Sequence, residues 1–158
     1  MRLVIPIRTR PIAECKRTFP MGKRIMHVDT SDRKAYKATV TQYVIAKLNE
    51  LGHRDLPLVG PLALQVAFCF ARPASYPQKP TERKPWPYDH TVKPDLDNCE
   101  KIIADVLTAC GVWQDDAQVC EKTSHKFYAD QEGTIIVVEQ MEGCDRIVPF
   151  EEVLDALV

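Results

Sequence analysis

The stretch between Pro61 and Pro73 limits what this chain can fold into more than any other part of it. Leu62, Leu64, Val66, Phe68 and Phe70 alternate there with Ala63, Gln65, Ala67, Cys69 and Ala71. A period of two is that of a β-strand. The second set is small and still mostly apolar, so the strand is expected to be buried on both faces. Such a strand belongs inside a sheet with elements packed over it, and 158 residues suffice for one core of that kind, not two. The chain therefore reads as a single domain over 1–158.

The flanking elements follow from spacing. Leu3–Ile7 is an apolar run fit for a strand. The basic segment 8–24 contains two prolines and keeps neither period, so an ordered loop or arm is expected. A helix is predicted from Thr30–Ser31, with Tyr36, Val40, Tyr43, Val44, Leu48 and Leu51 at helical spacing and Gly52 ending it. The segment 74–92 is Pro-rich and basic, with Tyr76, Trp86 and Tyr88 interspersed, and reads as a long loop. A second helix is predicted over about 98–110, carrying Ile102, Ile103, Val106, Leu107 and Cys110 on one face and Gly111 just beyond its end. Val119–Tyr128 and Thr134–Val138 read as a hairpin. Within a C-terminal extension of about 141–158, a short helix is expected after Pro149. The fold class is α/β in the α+β sense: a small mixed sheet, two main helices and a short terminal one.

No apolar run approaches the ~20 residues that cross a bilayer, and the N-terminus lacks the pattern of a secretory signal. A soluble cytoplasmic protein without membrane association is expected. The six cysteines contain no C-x-x-C pair, which argues against a zinc knuckle or redox dithiol and for buried, reduced thiols.

The net charge of −1 conceals an asymmetry. Residues 1–94 hold 17 Lys+Arg against 7 Asp+Glu, and residues 95–158 hold 4 against 15. A surface for an anionic polymer beside a concentrated acidic site would produce this division, and so would two halves that interleave and cancel.

The acidic residues gather in Lys93-Pro94-Asp95-Leu96-Asp97-Asn98-Cys99-Glu100-Lys101 and Gly111-Val112-Trp113-Gln114-Asp115-Asp116-Ala117-Gln118-Val119. Pro94 favours extended backbone before it, so Asp95 and Asp97 are expected at the mouth of the helix with both carboxylates on one side. Two carboxylates that close repel unless a cation joins them, and hard oxygen donors suit Mg2+ or Mn2+. Asp116 or Asp115 would be the third carboxylate. Lys101, one turn after Asp97, could meet charge developing on a phosphate. The plainer alternatives are helix caps, a surface ion pair and a turn.

Together these two motifs resemble the signature of the RusA-like Holliday junction resolvases. That pattern is D-L-D-N with a lysine three positions after the Asn, a helix of fixed length, a Gly with an aromatic nearby, then D-D-x-Q-V. The resemblance implies a homodimeric, Mg2+-dependent endodeoxyribonuclease that cuts four-way DNA junctions symmetrically in recombination and repair. By motif position it implies metal ligands at Asp95, Asp97 and Asp116, a catalytic lysine at Lys101 and an auxiliary Asp115. The natural DNA surface is then Arg8, Arg10, Lys16, Arg17, Lys23, Arg24, Arg72, Lys79, Arg83 and Lys84, with Tyr76, Trp86 and Tyr88 available to stack on unpaired bases. His90 and His125 could bind phosphate or contribute to the site, and a satisfied structural role is the plainer reading for each. The competing reading is a catalytically idle DNA-binding phage protein whose aspartates only cap. The helix is long and the return to Asp116 short, so the site is expected to be completed across the dimer, with Asp116 supplied by the partner.

Overall fold

The computed structural model describes residues 1–13, 16–21, 24–52, 55–76, 88–143, 152 and 154, with backbone alone over 16–21 and 24–29. Chain order is β1 (Arg2–Ile7), β2 (Lys16–Met21), β3 (Arg24–Asp29), α1 (Ser31–Glu50), β4 (Leu62–Ala71), β5 (Tyr88–Asp89), α2 (Leu96–Ala109), a 3-10 turn (Asp116–Gln118), β6 (Val119–Ala129) and β7 (Gly133–Gln140). A five-stranded sheet runs β1-β7-β4-β6-β5, and β2 pairs with β3 separately. The β4–β6 pair is parallel and the other neighbours are antiparallel, so the sheet is mixed.

One face of the sheet forms the core. Leu3 and Ile5 of β1 stand opposite Val138 and Ile136 of β7, which in turn oppose Leu64 and Val66 of β4. All six are buried under α1 and α2. α1 starts where the Thr30 hydroxyl accepts the Arg33 N–H (3.4 Å), and it buries Tyr36, Val40, Val44 and Leu48, one residue per turn. The Tyr36 hydroxyl meets Thr134 of β7 at 2.9 Å, and burial pushes its pKa up to about 12. α2 buries Cys99, Ile102, Ile103, Val106 and Leu107. It ends at Gly111, whose φ of 71° is a left-handed conformation that residues with a Cβ resist.

Several sequence expectations change. β4 is fully buried on its Leu62–Phe70 face, whereas on the other face only Ala63 is buried, Ala67 and Cys69 are half-buried and Gln65 and Ala71 are exposed, because both helices lie on the same side. β6 and β7 do not form a hairpin, since β4 lies between them. The three residues linking them cross the end of β4, where the Arg72 N–H donates to Ala129 (3.2 Å) and its guanidinium pairs with Asp130 (3.5 Å). The arm holds the β2–β3 hairpin, in which Met21↔Arg24 leaves only two residues between the strands. α2 begins at Leu96, two residues earlier than its periodicity suggested. Cys120 is exposed, unlike the buried Cys99, whose thiol burial pushes up to about 12. The expected terminal helix lies outside the described residues apart from Glu152 and Leu154, both helical. No described helix is long and apolar enough to cross a membrane.

Candidate active site

The outward face of α2 carries the chemistry because its inward face is wholly apolar. Asp97, Glu100, Lys101, Ala104 and Asp105 line a cavity of about 260 Å³, closed by Leu64 of β4, Asp116 of the 3-10 turn and Lys122 of β6. One chain thus gathers Asp97, Lys101 and Asp116, contrary to the expectation that a partner must supply Asp116. The 14-residue α2 is about 21 Å long, but the cavity runs past Lys101 to Asp105, so the return segment need reach only its middle. That return is anchored in the core. Val112 and Trp113 are buried, the Leu58 N–H donates to Val112 (2.8 Å), and the Trp113 indole donates to Thr108 (2.7 Å). Trp113 is therefore a core residue.

The two adjacent aspartates separate here. Asp115 caps the 3-10 turn by accepting the Ala117 N–H (2.8 Å). Gln118 accepts from the backbone of Gln114 (3.0 Å) and Asp115 (3.2 Å), and its amide donates to the carbonyls of Leu58 (3.1 Å) and Gly60 (3.3 Å). Asp115 and Gln118 thus fasten the turn to the segment before β4, which aims Asp116 at the cavity.

The D-x-D pair separates too. Asp95 occupies the N-cap of α2, yet its carboxylate makes no cap hydrogen bond and pairs instead with Lys93. It does not line the cavity. Because the helix starts at Leu96, Asp97 sits in the first turn, and the two carboxylates diverge rather than share one side as they would in a strand. Asp97 and Lys101 keep the one-turn relation read from the sequence.

Four side chains went unnoticed in the sequence. Glu100, only 12% exposed, pairs with Lys122. Its spacing of three from Asp97 was a legible signal, whereas Lys122 arrives only through the β4–β6 pairing. Lys126 of β6 donates to the carbonyls of Val92 (2.8 Å) and Pro94 (2.6 Å), just ahead of Asp95. At the far end of the cavity, Asp105 is held by Lys37 (3.0 Å) and Arg33 (3.7 Å) of α1.

The expected DNA surface is partly placed. Arg8 and Arg10 are exposed. Arg10 shares a hollow with Pro94 and lies 3.8 Å from Glu132. Arg72 is structural, donating to Tyr76 (2.7 Å) as well as pairing with Asp130. Lys16, Arg17 and Arg24 fall on the β2–β3 hairpin. Lys23, Lys79, Arg83, Lys84 and Trp86 lie outside the described residues. Tyr76 and Tyr88 pack edge to face at 5.2 Å, with Tyr88 buried, so these two serve the core and not base stacking. His90 is buried and stacked on Phe70 (4.1 Å), while His125 is exposed on the uncovered sheet face.

The cavity lining contains carboxylates and no histidine or cysteine, a hard-oxygen donor set that fits Mg2+ or Mn2+ better than zinc. Among the described residues no three His, Cys, Asp or Glu already stand together at ligand spacing. Mg2+ takes only one or two carboxylates and keeps several waters, so it does not require such a cage.

No curated protein sequence matches the chain. The family model for endodeoxyribonuclease RusA matches residues 9–139, from the start of the arm to the penultimate residue of β7, and so takes in α2, the cavity and the 3-10 turn. The chain belongs to the RusA family of endodeoxyribonucleases, the Holliday junction resolvases.

Proposed function

We propose that this chain is a Mg2+-dependent nuclease that resolves four-way DNA junctions as a homodimer, each subunit nicking one strand. The observation that carries the reading is the gathering of Asp97, Lys101 and Asp116 around one cavity beside Glu100. Family members require a divalent metal, and here Asp97 and Asp116 would hold it. Asp95 would complete the set by leaving Lys93, since its carboxylate is not engaged in capping. The bound ion would polarise the scissile phosphate and activate a water. Lys101, on the Asp97 side of α2, orients that phosphate and offsets the charge that builds on it. Arg8, Arg10 and the basic hairpin take the flanking phosphates, giving grip without sequence readout. An idle DNA binder with capping aspartates fits Asp115 but not Asp95.

The test is incubation with a synthetic four-way junction or matched duplex, with and without Mg2+. Symmetric paired nicks in the junction alone, lost in Asp97→Asn while junction binding persists, are expected. Metal-independent cleavage, or unaltered cleavage by that variant, would overturn the reading.

A further inference from the structure

Lys126 lies on β6, opposite Phe68 in the β4 register, and is half-buried. Its ammonium donates to two carbonyls, Val92 at 2.8 Å and Pro94 at 2.6 Å, which flank Lys93. The next residue is Asp95, and Asp97 follows on the first turn of α2. Four residues earlier on the same strand, Lys122 pairs with Glu100. Residues four apart on a strand share a face, so β6 grips the start of α2 at two places, the segment before the helix and the helix itself.

We infer that Lys126 is a positioning residue for the metal site, holding the 92–94 segment so that Asp95 and Asp97 stand where a divalent ion can join them to Asp116. This rests on the proposed metal-dependent function. An ammonium with three N–H donors suits the task, because it can bridge two carbonyls that point at one spot. The same geometry argues against a role in DNA contact: two of the three donors of this half-buried group are already taken by carbonyls. Partners that orient metal ligands typically contribute about 10–100-fold to metal affinity or activity.

The experiment compares the full-length chain with Lys126→Met, which keeps the apolar stem and removes the donors, and with Lys126→Arg, which keeps donors. Mn2+ affinity is read directly from the free-ion electron paramagnetic resonance signal, without DNA. Single-turnover junction cleavage is then measured across metal concentrations, and junction affinity across salt in metal-free buffer. Lys126→Met should bind Mn2+ about 10–100-fold more weakly and cleave slowly at low metal. Its rate should recover as metal is raised, and its junction affinity and salt slope should match the parent. Lys126→Arg should restore most of the Mn2+ affinity. Unchanged Mn2+ affinity in Lys126→Met, or a salt slope reduced by about one, would overturn the inference. If Lys126→Met does not fold, Lys126→Gln replaces it and must show the same loss of Mn2+ affinity. A parent chain that neither binds Mn2+ nor cleaves junctions would remove the proposed function and this inference together. A parent that does both beside an equally competent Lys126→Met would remove only this inference.

Discussion

Asp115 and Asp116 are neighbours with separate tasks, and substitution should pull them apart. Asp115→Ala loses a cap bond and should cost about 1 kcal/mol of stability, while weakening Mn2+ binding much less than Asp116→Asn does. Asp116→Asn should leave thermal stability nearly unchanged and lower cleavage at least about 100-fold, in line with loss of transition-state charge stabilisation. Chemical denaturation and single-turnover assays separate the two. Lys101→Ala should reduce the cleavage rate far more than junction affinity, because one exposed lysine among many adds little to binding; equal losses in both would place it in the DNA surface. These assignments were partly legible in the chain itself. D-L-D-N with Lys101, and D-D-x-Q, specified the residues, but not that Asp97 would turn into the cavity while Asp95 turned to Lys93, which depends on where α2 begins. Lys122 and Lys126 left no trace in the sequence, since a lysine on an irregular strand pattern resembles any solvated lysine.

The existence and type of elements with strong periods were legible in the sequence, whereas the pairing of strands was not. α1 ends where its apolar stripe and Gly52 say it should, and the helical spacing of α2 located the wall of the cavity. The β6–β7 hairpin expectation failed because a short link between two strands is also long enough to step across one intervening strand, about 10 Å. The short strand β5 extends this sheet at its far edge, and His90 directly after it carries a testable electrostatic consequence. Burial first, and then the nearby Lys126 charge, hold the imidazole below its ordinary range. The unfolded ring takes a proton near pH ~6.5, before the folded one does. The unfolded state is therefore favoured as pH falls through that value. The melting temperature should drop between neutral and mildly acidic pH, and the drop should shrink in His90→Phe, which can keep the stack on Phe70. An identical drop in both proteins would exclude His90 as the cause.

Across the whole molecule, the basic and acidic halves of the chain interleave: β4 from the first half sits between β6 and β7 from the second. The site nevertheless stays acidic, because Asp97, Glu100, Asp105 and Asp116 all face one cavity. Since a single chain brings Asp97 and Asp116 there, mixing Asp97→Asn with Asp116→Asn should not restore cleavage even after proven subunit exchange. Recovered nicking in the mixture would show that the sites are shared. The same interleaving ties catalysis to the order in which the chain assembles. Every residue of the acidic motif lies after β4, yet β6 and β7 are joined in the sheet only through β4, which lies between them. A chain truncated from its N-terminus past β4 could hold the complete motif and still present no cavity, because its floor, Leu64, and the strand that aligns Lys122 come from much earlier in the sequence. High contact order of this kind slows assembly of the site, because loop-closure entropy is spent before the long-range contacts that complete the cavity form. Partly synthesised or partly unfolded chains, whose basic arm could already cling to DNA, would carry no assembled blade.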